Sequence, residues 1–175
     1  MKNLVLGVND AIYRACIAVA GLAILIMATI IPWGVFSRYV LGQGLGWPEP
    51  IAILLMVLFT FVGAAGSYRA GAHMAVTSLT DRLPNALQPL ITLFVRLAMG
   101  AIALFMLIWG YKLCVATWNQ FLSTLPSVRV GISYMPIPVG GFITLLFVIE
   151  QLLYGDQHQR RVVDFEAVED SKEAV

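Results

Sequence analysis

The residues able to do chemistry in this chain are few, and most stand at the edges of long apolar runs. Haem ligation between helices needs histidines facing each other from two spans. The two histidines, His73 and His158, both lie outside the apolar runs. A proton path needs a carboxylate inside a span, whereas Glu49 and Glu150 fall at or near run ends. Cys16 and Cys114 sit in separate apolar stretches without CxxC spacing. They fit neither a disulfide framework nor a zinc site and read as buried structural thiols. No hydrolytic, phosphate-binding or metal motif occurs. The residue types therefore point to no cofactor, no metal and no enzyme. What remains is charge placed for structure or for a partner.

Two placements carry that question. In "FSRYVLGQGLGWPEPIA", residues 36–52, Arg38 and Glu49 flank a glycine-rich hinge between two apolar runs, with Trp47 beside the glutamate. A salt bridge closing the hinge and use of both charges by a partner at the outer surface are equally open. Arg96 interrupts a third long run, and its charge is costly against lipid. Snorkelling toward the headgroups along a tilted helix is one reading, and pairing with Glu150 on an antiparallel helix is the other.

The elements that position these residues follow from composition. Of 175 residues, 59% are hydrophobic and 12% charged, about half the charged share of a soluble domain, which is about 25%. Mean hydropathy is +0.84, and the formal net charge of +1, with no basic run, excludes a nucleic-acid-binding surface. A helix needs about 20 apolar residues to cross a bilayer core. Charge-free stretches place spans at about 15–37, 50–68, 89–116 and 134–154, the third carrying Arg96. The expected fold is an all-α integral membrane protein with four transmembrane helices over 1–155 and a charged cytoplasmic tail over 156–175. Ala18-Val19-Ala20 resembles a signal-peptide cleavage site, but Asp10 and Arg14 interrupt its apolar core, so the first run is expected to remain a span.

Orientation follows from Lys and Arg near the span ends. Lys2, Arg14, Arg69, Arg82, Arg160 and Arg161 fall on one side, against Arg38, Lys112 and Arg129 on the other. Both termini are thus expected in the cytoplasm. Between spans two and three, Val76, Leu79 and Leu83 recur at helical spacing among polar residues. The pattern predicts a short interfacial amphipathic helix over about 73–83, lying in contact with membrane lipids. Within span two, Gly63, Gly66 and Ser67 present small residues about a turn apart, a helix-packing face for this chain or a partner. No internal repeat of the kind that builds alternating-access carriers is visible.

These residues carry a resemblance. "RYVLGQGLGWPE", "FVGAAGSYRAGAHMAVTSL" and "ISYMPIPVGG" occur in order from Arg38 to Gly140. The set resembles the signature of the small membrane subunit, DctQ type, of tripartite ATP-independent periplasmic (TRAP) transporters. Pro50 stands where the family often has a second acid, and Thr77 where an acid often follows His-x-x-Val. Any role of those carboxylates does not carry over. The resemblance implies a bacterial inner-membrane scaffold subunit working with a large multispanning transporter subunit and a periplasmic solute-binding protein. The transport it implies is sodium-coupled symport of an organic acid of the sialic acid or dicarboxylate class. It further implies that Arg38 and Glu49 lock the outer turn or dock it to a partner, that Trp47 anchors it, and that Arg69 and His73 fix the inner interfacial helix against lipid phosphates. An autonomous small four-helix transporter and a redox-complex membrane anchor are the competing classes. The former should show a polar stripe along its spans, and the latter should show facing histidines.

Overall fold

The computed structural model describes residues 2–42, 44–70, 88–126 and 128–154. The helices are α1 (Lys2–Tyr39), α2 (Pro48–Arg69), α3 (Gln88–Ala116), α4 (Val130–Tyr134) and α5 (Pro136–Tyr154). Four runs are long and apolar enough to span a membrane, with α4 and α5 forming the last. The fold is all-α with four spans. The interfacial helix expected over 73–83, His73 and the tail lie outside the described residues.

The helix ends have local causes. α1 stops where Gly42 takes φ +65, a left-handed conformation that favours glycine after a helix. α2 opens with Pro48 and Pro50 in its first turn, where a missing N–H costs little. Glu49 in that turn and Arg38 in the last turn of α1 each complement a helix dipole. The hinge charges thus have an intrinsic reason to stand where they do. Pro136, which cannot continue the ladder, separates α4 from α5 at Met135. After α3, Leu122 N–H donates to Val128 C=O at 3.0 Å and Val130 N–H to Gln120 C=O at 2.9 Å. These bonds bring residues 120–122 back against 128–130.

α1 begins at Lys2, well before the start near residue 15 suggested by charge bracketing. The reason is a packing seam that ignores the charges. Leu6, Asn9, Tyr13, Cys16, Ala20 and Ala23 are buried at steps of three and four, the spacing of a continuous helix–helix contact. That seam lies against α2, where Gly66 approaches Cys16 and Gly63 approaches Ala20. The small-residue face expected in α2 therefore packs within this chain. Ser67 is exposed and does not belong to that face.

The spans form a row rather than a ring. α1 packs along α2, α2 along α5, and α5 along α3. No packed seam joins α1 to α3 among the described residues. Burial agrees, since 28% of the most apolar stretch is buried in α2 and in the α4–α5 run, against 17% in α1 and 6% in α3. Two close approaches fall at Gly140 and Gly141 of α5. A Cβ on Gly140 would lie 2.9 Å from the backbone oxygen of Phe61 in α2, and one on Gly141 would lie 3.0 Å from that of Ala103 in α3. Adjacent glycines thus let α5 meet a neighbour on each side.

This difference sets a test. Gly140→Ala is expected to destabilise the chain by about 1–3 kcal/mol through overpacking. Gly63→Ala, whose Cβ would meet Ala20 at 3.6 Å, should change stability by no more than about 1 kcal/mol either way. Thermal unfolding of both variants in one detergent would distinguish them.

Candidate functional site: a buried ionic junction

One end of the row is tied by charge. Arg69, the last residue of α2, donates from Nε to Oε2 of Glu150 at 2.9 Å and from Nη2 to Oε1 at 2.9 Å. The same Nη2 reaches Oδ1 of Asp10 on α1 at 2.6 Å. The Arg69 and Glu150 side chains are 2% and 0% exposed, and Asp10 retains 27%. The guanidinium carbon lies 5.3 Å from the Tyr13 ring centroid and 5.4 Å from that of Phe147, within cation–π range. Tyr13, Tyr68, Phe147 and Val148 form the buried apolar cluster around it.

Each member comes from a different helix, so the junction fixes three elements at once. The bidentate fork demands one rotational setting of α2 against α5. Asp10 then sets the height of α1. An unpaired buried guanidinium or carboxylate would carry a large desolvation penalty, so the three helices are compatible only in this register. The chemistry this arrangement shows is cohesion between helices.

Several expectations change here. The Glu150 carboxylate gives both oxygens to Arg69, not to Arg96. Neighbouring α2 ends level with Glu150 and delivers a planar fork, whereas Arg96 is half-buried on the outlying α3. Arg69 does not face lipid phosphates, because its side chain is enclosed by α1, α2 and α5. Asp10 was missed as a site residue. Its signal was its place beside the buried positions Asn9 and Tyr13, within the three-and-four spacing that begins at Leu6.

The hinge between α1 and α2 is a weaker tie. Arg38 Nη2 and Glu49 Oε2 stand 3.7 Å apart, with side chains 58% and 76% exposed. The geometry brings the two together but leaves both in solvent reach. Trp47 precedes the first turn of α2 and is partly exposed, and Tyr39 at the end of α1 is 80% exposed, a placement suited to an interfacial aromatic belt. Further along the same side, Arg129 lies 5.4 Å from the Trp118 ring and 5.9 Å from the Phe121 ring.

Four apolar spans packed in one row, three of them tied by a buried ion cluster, define a small multi-pass membrane protein. The chain belongs to the DctQ family: residues 27–158 match the DctQ component of tripartite ATP-independent periplasmic transporters. It is therefore a small subunit of a TRAP-type transporter in the inner membrane. It is similar to the ectoine TRAP transporter small permease protein TeaB of Halomonas elongata, 29% identical over 145 residues, covering 80% of this chain and 74% of the relative. It is also similar to the sialic acid TRAP transporter small permease protein SiaQ of Vibrio cholerae, 24% identical over 151 residues, covering 82% and 86%.

Removing one partner of the junction should be worse than removing both. Arg69→Met strands Glu150 and is expected to cost about 3–5 kcal/mol, and adding Glu150→Leu should recover most of it. At the hinge, a double-mutant cycle on Arg38 and Glu49 should give a coupling below about 1 kcal/mol. Both comparisons are read from denaturation in the same detergent.

Proposed function

We propose that this chain is the static scaffold of its transporter, holding a large multispanning subunit that moves substrate by an elevator-type motion. Transport is sodium-coupled symport of an organic acid of the sialic acid or dicarboxylate class, delivered by a periplasmic binding protein. The observation that carries the scaffold reading is the row of helices tied by the Asp10–Arg69–Glu150 junction. A row presents two broad apolar faces, and its helices pack by close backbone approach at Gly140 and Gly141. Such an object resists shear and offers a long surface to a neighbour. An autonomous carrier would instead need an enclosed polar path and the broken midplane helices of a repeat fold. The buried charges Asp10, Arg69 and Glu150 join helices to one another.

The two relatives are named for different substrates, ectoine and sialic acid. In this reading the small subunit is common machinery and does not select the solute. It has no catalytic step. Both termini lie in the cytoplasm, which puts the ionic junction at the inner face and the Arg38–Glu49 hinge and the paired segments 120–122 and 128–130 at the outer one.

The test is purification of the tagged chain, expressed from its native operon, in mild detergent. A large multispanning protein should arrive in equal amount, and the pair in liposomes should take up the organic acid only with sodium and the binding protein. A single cysteine at Thr124, with Cys16 and Cys114 replaced, should label with an impermeant maleimide from the periplasmic side. A chain that purifies alone and stable would remove the scaffold reading, and labelling only after lysis would reverse the orientation.

A further inference from the structure

We propose that the outer end of the α1–α2 seam binds one phospholipid with a zwitterionic, primary-amine headgroup of the phosphatidylethanolamine type. The two helices pack tightly toward the ionic junction, where Gly66 and Cys16 meet. Toward the hinge they still touch, where a Cβ on Gly34 would lie 3.0 Å from that of Pro48, and beside this contact the two helices line a groove of about 390 Å³, within the size range of small-molecule sites. Its walls are apolar, with Met27 and Ile31 on one side and Ile53 and Met56 on the other, while Arg38 and Glu49 stand at its mouth. Ile53 and Met56 are exposed.

Two features select the occupant. The first is depth. Met27 to Arg38 spans about 16 Å at 1.5 Å per residue, close to half of a hydrocarbon core of about 30 Å. A single leaflet's acyl chain therefore fits the groove with its headgroup at Arg38. The second is charge. The guanidinium and carboxylate at the mouth are 3.7 Å apart and exposed, too far for a direct hydrogen bond. A guanidinium has five N–H donors and a carboxylate two acceptor oxygens, so both hold capacity beyond their mutual attraction. A phosphate suits Arg38, and an ammonium three atoms away on the same headgroup suits Glu49. An anionic glycerol headgroup offers Glu49 no cation, and a choline headgroup has no N–H to donate. The zwitterionic amine matches both charges at once. The hinge charges, expected to pair or to meet a protein, are thus assigned to a lipid.

This inference needs only that α1 and α2 cross the bilayer, and it does not depend on the transport reading. The full chain, with any subunit that accompanies it, would be delipidated and offered phosphatidylethanolamine, phosphatidylcholine and phosphatidylglycerol with identical acyl chains. Native mass spectrometry would count the lipids retained. One phosphatidylethanolamine per chain should be held, preferred roughly tenfold or more over the other two. Glu49→Gln should abolish that preference, and Arg38→Gln should lower retention of every phospholipid, with Arg38→Lys restoring part of it. Both side chains are exposed, so an unchanged elution profile and thermal midpoint would show that the variants fold. A photo-crosslinking residue at position 53 should capture lipid. Equal retention of the three lipids, retention unchanged by both variants, or capture of the large subunit at position 53 would each overturn the proposal.

Discussion

A guanidinium placed in a membrane protein has to be matched, and most of this structure follows from how Arg69 is matched. Its fork is filled by Glu150 and its remaining reach by Asp10, with the Tyr13 and Phe147 rings close by. The Coulomb gain of such a cluster is offset by the cost of taking the charges out of water. Its main product is therefore not net stability but uniqueness. Apolar helices in lipid slide and rotate past one another at little cost, because lipid and side chains are equally apolar. Three charged groups that must meet at once remove that freedom from α1, α2 and α5.

The consequences run along the row. With α2 set against α5, the adjacent glycines Gly140 and Gly141 place α5 in backbone contact with Phe61 on one side and Ala103 on the other. α3 contributes no partner to the junction and attaches through α5 by packing. The arrangement has two interior helices, two edge helices and large apolar faces. That geometry suits the scaffold role proposed above.

The two ends of the row differ in kind. At the junction end the charges are enclosed and mutually saturated, and the small residues of α1 and α2 close the seam. At the hinge end the ion pair is long and solvated, the first turn of α2 begins with prolines, and an apolar groove runs beside the α1–α2 contact. Dipole complementarity explains why Arg38 and Glu49 occupy helix ends. Their exposure explains why they are free to serve a headgroup as well.

Much was legible in the residues alone. Membrane residence, four spans and the family resemblance came from charge-free length and ordered local motifs, which depend only on residues near in sequence. The packing role of Gly63 and Gly66 was visible for the same reason, although the identity of the partner helix was not. The junction was not legible. Asp10, Arg69 and Glu150 are separated by 59 and 81 residues, and Arg96 looked as good a partner for Glu150 because single-helix spacing says nothing of lateral order. Which helix lies beside which is decided by backbone approach at Gly140 and Gly141 and by the geometry of one fork. By itself the sequence determined the solvent of this protein, its elements and its family. Tertiary structure alone decided the row, the pairing of its charges and the groove at its hinge end, because contact between distant residues exists only once the helices have packed.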